Sequence, residues 1–242
     1  MGKIYIVGMG PGSKEHMTYK AYETMKSSDV IVGYTGYTKL IPEELNNIET
    51  ISTGMGSEEE RCRKALEIAQ NGKNVSLICS GDSVVYGMAG LVYELSNEYD
   101  GVDIKVVPGI TAAVSGSALI GAGIGNDFAV ISLSNYLTSR DDTYNRLKLC
   151  AQADMVMVLY NPNSHKRPDC LKNACEYLLQ FIEGSRVCAV AKNIGREDES
   201  YQIYTLDELK VAQVDMFSTV FIGSSMTVNI DGHLVTRRGY QI

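Results

Sequence analysis

The sequence predicts an α/β protein made of two α/β domains with a cleft between them. Three observations carry this. Short apolar strand runs alternate with helical patterns along nearly the whole chain, the arrangement that builds α/β units around largely parallel sheets. The predicted strands run out into turns of glycine, proline, aspartate or asparagine. A glycine-rich passage near the middle, "GAGIGND" (Gly121–Asp127), marks the best boundary, giving domains 1–120 and 121–242.

Taken in order, Ile4–Val7 reads as a strand, and His16–Ser28 as a helix with Met17, Ala21 and Met25 on one face. Val30–Val32 is a strand. Ser57–Asn71 is the clearest helix: Ser57 and Glu60 have the spacing of a capping box, Cys62, Ala65, Leu66 and Ala69 form an apolar stripe, and Gly72 stops it. Val75–Cys79 is a buried strand, Val85–Glu98 a helix, Asp103–Val107 a strand and Thr111–Ile120 a helix of small residues. Beyond the boundary, Phe128–Leu133, Met155–Tyr160, Val187–Ala191 and Thr219–Ile222 read as strands, and Arg140–Ala153 and Asp169–Ile182 as helices. There is no internal repeat and no low-complexity segment.

Composition narrows the function classes. The net charge of −7 argues against general nucleic-acid binding while leaving room for a local basic patch. No apolar run reaches the length of a membrane span. The first residues enter a strand without a charged leader, so no signal peptide is expected and a cytoplasmic protein is. The cysteines at 62, 79, 150, 170, 175 and 188 form no CxxC pair and do not cluster with His16, His165 or His233; buried reduced thiols are expected, and no metal site.

The opening loop, "IYIVGMGPGSKEHMT", fails as a dinucleotide fingerprint. Ser13 stands where the third glycine belongs, and Pro11 removes an N–H that a pyrophosphate would use. No phosphate-binding G-x-x-x-x-G-K-[ST] occurs. Gly8, Gly10, Pro11 and Gly12 instead make a tight, low-profile turn that either lets a bulky ligand approach backbone or is merely a turn. In "ICSGDSVVYG" (Ile78–Gly87), Asp82 ends a strand where ligands of open α/β sheets bind. It is placed to accept from a ribose hydroxyl or an amine, or to cap the next helix. "VVPGITAA", "VLYNPNSHKRP" and "AKNIGREDE" are three further strand-end loops of this kind. No Ser-His-Asp or Cys-His pattern stands out.

Together these loops resemble the tetrapyrrole (corrin and porphyrin) methylases that use S-adenosylmethionine. "VGMGPG" resembles their opening V-G-x-G-P-G, "SGD…VYG" their G-D-P-x-x-Y/F-G loop, and "VVPGITAA" their V-x-P-G-x-[ST]-[AS] segment, in order and over nearly the whole chain. Two departures stand out: Ser13 replaces the acidic or amide residue common after G-P-G, and Ser83 replaces the proline of G-D-P. Further segments, among them "VGYTGYTKLI", "LYNPNSHKRP" and "KNIGRE", are similar to the branch that methylates carbon 17 of (cobalt-)precorrin-3 with ring contraction, toward cobalamin.

The resemblance implies a cofactor cleft between the domains, S-adenosylmethionine as cofactor and a tetrapyrrole as substrate. Pro11, Ser80, Gly81, Asp82, Val85, Thr111, Ala112, Asn161 and Gly195 would meet the cofactor. A substrate with many carboxylates needs cationic partners. The candidates are Lys14, Arg140, Lys166, Arg167, Lys192 and Arg196, each weighed against a solvated surface charge. Arg237 and Arg238 fit that role or a mobile tail. His16 and His165 are candidate proton carriers or plain surface histidines. Tyr34 and Tyr37 fit a substrate trough or an aromatic core equally. No residue is assigned to catalysis. Any cobalt arrives in the substrate, and the lack of an appended oxygenase or iron–sulfur pattern favours the cobalt-first route. A homodimer is implied by the resemblance alone. The rivals are diphthine synthase, a ribosomal-RNA ribose methylase disfavoured by the acidic balance, another precorrin methyltransferase, and a non-catalytic module that binds an S-adenosyl ligand.

Overall fold

The computed structural model describes residues 2–241. The chain forms two compact units, Met1–Thr111 and Ala112–Ile242. The first contains β1 (Lys3–Gly8), α1 (Tyr19–Lys26), β2 (Val30–Tyr34), α2 (Thr35–Thr38), β3 (Glu49–Thr53), α3 (Glu58–Gln70), β4 (Val75–Cys79), α4 (Ala89–Leu95) and β5 (Asp103–Val107). Its five-stranded sheet has the order β3-β2-β4-β1-β5, and every pairing is parallel. The central strand β4 is buried along its whole length, as a strand covered on both faces must be. On one face, Cys62, Ala65, Leu66 and Ala69 of α3 and Val92 of α4 pack on Ile4, Ile6 and Leu77. On the other, Ala21 and Met25 of α1 pack on Val7, Ile31 and Ile78. Each fully buried aliphatic chain contributes about 1.5–3 kcal/mol of transfer free energy.

Three predicted helices differ from the structure for local reasons. The first starts at Tyr19, not His16, because Thr18 is its cap and accepts from the Ala21 amide at 3.1 Å. The Ser57–Glu60 capping box is not made: Ser57 holds the cap position without a side-chain bond. The box forms instead at Thr205 and Glu208. The helix expected over Val85–Glu98 is regular only from Ala89 to Leu95, because residues 82–88 are held in a loop described below.

The second unit contains α5 (Ala112–Ile120), β6 (Gly121–Ala122), β7 (Phe128–Ser132), α6 (Arg140–Gln152), β8 (Val156–Tyr160), α7 (Cys170–Leu178), β9 (Val187–Lys192), β10 (Ser200–Thr205), α8 (Leu206–Leu209), β11 (Ser218–Ile222), β12 (Thr227–Ile230) and β13 (His233–Thr236). The main sheet runs β10-β9-β11-β8-β7. Only β7 and β8 pair in parallel; β11 is antiparallel to β8 and β9, and β10 to β9. The expectation of largely parallel sheets therefore holds for the first unit alone. The chain from Lys192 to Ser200 is too short for a parallel crossover, which takes a dozen or more residues.

Leu147 and Ala151 of α6, Leu171 and Leu178 of α7, and Leu206 and Leu209 of α8 cover one face of this sheet. Ala113 and Ile120 of α5, with Phe221, lie on the other. The helix Ala112–Ile120 closes the sequence-predicted first half but packs within the second unit, where Gly116 sits against Ile194 and Phe221. Gly121 and Ala122 of the glycine-rich passage pair with Leu234 and Val235 in a small sheet, β12-β13-β6.

Buried Arg186 fastens this unit. Its Nε donates to Glu183 Oε1 at 2.6 Å, and its Nη1 donates to Asp154 Oδ1 at 2.9 Å and to the Gly223 carbonyl at 3.0 Å. Partial burial pushes the Asp154 carboxyl up, but the Ser225 hydroxyl and amide and Arg186 outweigh it and hold it below its ordinary range. The Arg186 hydrogen bond likewise lowers Glu183. Among the described residues no helix is long and apolar enough to cross a membrane.

Candidate functional site

In the first unit, β4, β1 and β5 lie side by side and end together, with Gly8 level with Cys79 and Val7 level with Val107. The loops that leave them are joined through main chain. The Met9 amide donates to the Cys79 carbonyl at 2.9 Å. The Gly10 amide donates to the Gly81 carbonyl at 3.0 Å, and the Gly81 amide to the Gly10 carbonyl at 2.7 Å. Both glycines have positive φ, +82° and +66°, which few side chains tolerate. Gly8 and Gly109 touch backbone to backbone: a Cβ on Gly8 would stand 2.6 Å from the Gly109 nitrogen and 2.8 Å from the Gly81 oxygen. Three strand ends thus approach each other with no side chain between them. Pro11, buried, follows directly, and Ser80 and Gly81 lie on the neighbouring turn.

Asp82 organises this arrangement. Its Oδ1 accepts from the amides of Val84 (2.8 Å) and Val85 (3.2 Å), and its Oδ2 accepts from the Gly109 amide (2.9 Å). From sequence it was open to a ribose hydroxyl or an amine, or to capping the next helix; in the structure its carboxylate accepts from three backbone amides. The amides belong to a loop and a neighbouring strand end, not to a helix. Ser83, where the family pattern has proline, is fully buried, and its hydroxyl donates to the Val107 carbonyl at 3.2 Å. The departure thus adds a tie between the β4 and β5 loops. Tyr86 is held at φ +54°, a genuine outlier for a bulky residue. The other departure, Ser13, places its hydroxyl 3.1 Å from His16 Nδ1.

In the second unit, the start of α5 and the ends of β8 and β9 meet. The Ala113 amide donates to the Tyr160 hydroxyl at 2.7 Å, and Ile194 packs on Gly116. Ala112, Asn161 and Gly195 sit at these three places. Asn161 has φ +53°, and its Nδ2 donates to Ser132 Oγ at 2.9 Å, linking the β8 end to the β7 end. Asn193 is also left-handed, at φ +52°. Non-glycine residues held this way cost free energy that the surroundings must supply, and they concentrate at functional sites. Thr111 ends the first unit.

The predicted cations separate. Lys14 pairs with Glu44, and that hydrogen bond raises the lysine and lowers the glutamate. Lys192 pairs with Asp215 at 2.8 Å. Arg196 lies over the Phe217 ring at 5.2 Å, and Lys166 and His165 are exposed. Arg140 and Arg167 line one cavity of about 190 Å³ between the β7 and β8 loops. A larger depression of about 720 Å³ along β3 and α3 mixes Glu59, Glu60 and Glu67 with Arg63 and Lys64. Tyr34 and Tyr37 make an edge-to-face pair at 5.1 Å, with the buried Arg61 guanidinium 5.9 Å from the Tyr34 ring. All six cysteines are free. Among the described residues no three His, Cys, Asp or Glu side chains come together as metal ligands.

Gly109, Ser83 and Tyr160 organise these loops and were not among the predicted site residues. The only sequence signal for Gly109 was its place in "VVPGITAA". Tyr160 read as the last residue of a strand.

The tetrapyrrole (corrin/porphyrin) methylase family model matches residues 3–210. A cobalt-factor III methyltransferase of Priestia megaterium is 40% identical over 245 residues, covering 99% of this chain and 45% of that protein; this chain spans about half its length. A probable cobalt-factor III C(17)-methyltransferase of Salmonella typhimurium is 39% identical over 240 residues, covering 99% of this chain and 100% of that protein. Among solved structures, the methyltransferase CobJ superposes with a TM-score of 0.90 at 29% identity, covering 98% of this chain and 100% of that one.

Proposed function

This chain belongs to the tetrapyrrole (corrin/porphyrin) methylases, and from that premise we propose that it transfers a methyl group from S-adenosylmethionine to carbon 17 of a cobalt-bearing precorrin-3-type macrocycle, with ring contraction, on the route to cobalamin. The observation that carries the reading is the main-chain seat at the ends of β1, β4 and β5. A site whose task is to hold an already activated methyl donor needs close backbone approach more than acid–base side chains. Similarity over nearly the whole of this chain to relatives named as cobalt-factor III methyltransferases supports the choice of macrocycle, and their names support cobalt in the substrate.

The fit rests on the seat's chemistry. Pro11, Ser80 and Gly81 present backbone at the carboxyl ends of parallel strands, where ligands of such sheets bind. Val85 follows Gly81 on the β4 loop, and Thr111 follows Gly109 on the β5 loop. Ala112, Asn161 and Gly195 of the second unit are assigned to the cofactor on the family resemblance. S-adenosylmethionine supplies an electrophilic methyl group when bound. The residues here position and shield; Asp82, engaged with three amides, sets the loop geometry. The reading extends to a homodimer, which rests on the resemblance, and to the cytoplasm.

The test is turnover. Purified protein mixed with S-adenosylmethionine and a cobalt-bearing precorrin-3-type macrocycle should release S-adenosylhomocysteine and shift the ultraviolet–visible spectrum. Binding of S-adenosylhomocysteine with no turnover of any tetrapyrrole would replace this reading with that of a binding module.

A further inference from the structure

We propose that the cavity between the β7 and β8 loops is a carboxylate seat that grips one acidic arm of the macrocycle, with Arg140 and Arg167 as its two jaws. The inference rests on the function proposed above and names one determinant of substrate choice.

Arg140 opens α6, and Arg167 stands three residues ahead of the first residue of α7. Both guanidiniums therefore sit near helix N-termini, where the peptide dipoles make a cation unfavourable and an anion welcome. Neither is in an ion pair among the described residues, whereas Arg63 and Arg186 each have two carboxylate partners. The two are nevertheless oriented. Arg140 Nη2 donates to the Tyr144 hydroxyl at 3.1 Å, which favours the charged guanidinium. Arg167 Nη1 donates to the Leu133 carbonyl at 3.0 Å and approaches Cys170 Sγ at 3.5 Å. Nε and Nη2 of Arg167, and Nε and Nη1 of Arg140, make no hydrogen bond to the described residues. Asn135 and Asn173 add amide groups to the lining, and Asp169 is its single carboxylate.

Size selects what enters. A volume of about 190 Å³ equals the liquid share of roughly six waters at ~30 Å³ each. It lies below the ~300 Å³ at which pockets begin to enclose drug-sized ligands. An acetate or propionate arm fits; a tetrapyrrole ring does not. The cavity also adjoins a proposed cofactor residue: Leu133 in its lining follows Ser132, which accepts from Asn161. An arm held here would tether the ring beside the β8 end. Of the six cations singled out from sequence, Arg140 and Arg167 line this cavity together.

The experiment uses Arg140→Gln, Arg167→Gln, the double variant, and Arg146→Gln as a comparison at an exposed position outside the cavity. KM for the cobalt-bearing precorrin-3-type macrocycle and Kd for S-adenosylhomocysteine are measured, together with the rate at which iodoacetamide alkylates Cys170. Charge-assisted hydrogen bonds of this type set the expectation of a ten- to hundredfold rise in macrocycle KM for each cavity variant. Kd for S-adenosylhomocysteine should hold within twofold, and Arg146→Gln should leave macrocycle KM within threefold of wild type. The macrocycle should slow Cys170 alkylation in the wild type and not in the double variant. Wild-type turnover with unchanged KM in the cavity variants, or no protection of Cys170, overturns the seat. Protection by millimolar phosphate with none from the macrocycle reassigns the cavity to a free anion and overturns it too. Absence of any wild-type turnover instead strikes the proposed function.

Discussion

Replacing Gly8 with alanine tests the main-chain seat directly. Gly8 has no positive φ, so alanine meets no backbone strain there, and the whole effect comes from one methyl group. That Cβ would lie 2.6 Å from the Gly109 nitrogen and 2.8 Å from the Gly81 oxygen, where ordinary contact begins at 3.4 Å. Both neighbours are backbone and have no rotamer to escape into, so the strand ends must part. Overpacking of this kind costs about 1–3 kcal/mol. Loosening the Gly10–Gly81 hydrogen bonds adds about 0.5–1.5 kcal/mol for each one lost. With both bonds lost the total is about 2–6 kcal/mol, which lowers the thermal midpoint by about 4–24 °C in a chain of this size. Gly90→Ala is the control: nothing lies within 4 Å of its Cβ, and in an exposed helix it should stabilise by about 0.5–1 kcal/mol. Calorimetric titration with S-adenosylhomocysteine at 20 °C, where both variants are folded by circular dichroism, should show Gly8→Ala weakened about tenfold or more and Gly90→Ala unchanged. A Gly8→Ala protein with wild-type midpoint and affinity would refute the idea that backbone proximity builds the site.

Asp82→Ala leaves the amides of Val84, Val85 and Gly109 without their acceptor. It should destabilise by about 1–3 kcal/mol and weaken S-adenosylhomocysteine in the same titration while far-ultraviolet dichroism stays native; an unchanged Kd would remove Asp82 from the site. Asp154 is held below its ordinary range, so its contribution is full above that range and is lost as pH falls through the lower folded value. Urea midpoints measured from pH 5 to pH 3 should therefore fall less steeply in Asp154→Asn than in the wild type, with Glu183 keeping some slope in both. Burial pushes the thiol of Cys79 up to about 11, those of Cys62 and Cys175 up to about 12, and that of Cys188 higher. Mass spectrometry after iodoacetamide at pH 8 should find label first on the half-buried Cys150 and Cys170, and on the other four only after denaturation.

Eight strands were legible from sequence, β1, β2, β4, β5, β7, β8, β9 and β11, most plainly β4 and β11, whose burial is continuous along the strand. Two strands at sheet edges, β3 ("ETIST") and β10 ("SYQIYT"), alternate with polar residues and escaped notice. The Ser57–Glu60 spacing satisfied a cap pattern that the backbone at Ser57 (φ −104°, ψ 38°) does not form. Residues 85–88 looked helical because their composition says nothing of the Asp82 carboxylate that captures the amides of Val84 and Val85. The strand-end loops were legible as turn chemistry at the right places. Their mutual hydrogen bonds were not, since amides of Gly10, Gly81 and Gly109 leave no trace in side-chain identity. Likewise, the pairing of Arg140 with Arg167 depends on β7 and β8 being neighbours, which no local window reports.

Because the donors and acceptors joining Gly10 to Gly81 are peptide groups, every residue type that tolerates the turns would present the same ones. A holder of that kind is generic and carries no information about the acceptor molecule. Under the proposed function, retargeting the enzyme to a different ring should then begin with edits to the β7 and β8 loops, with the Gly10–Gly81 turns left as they are.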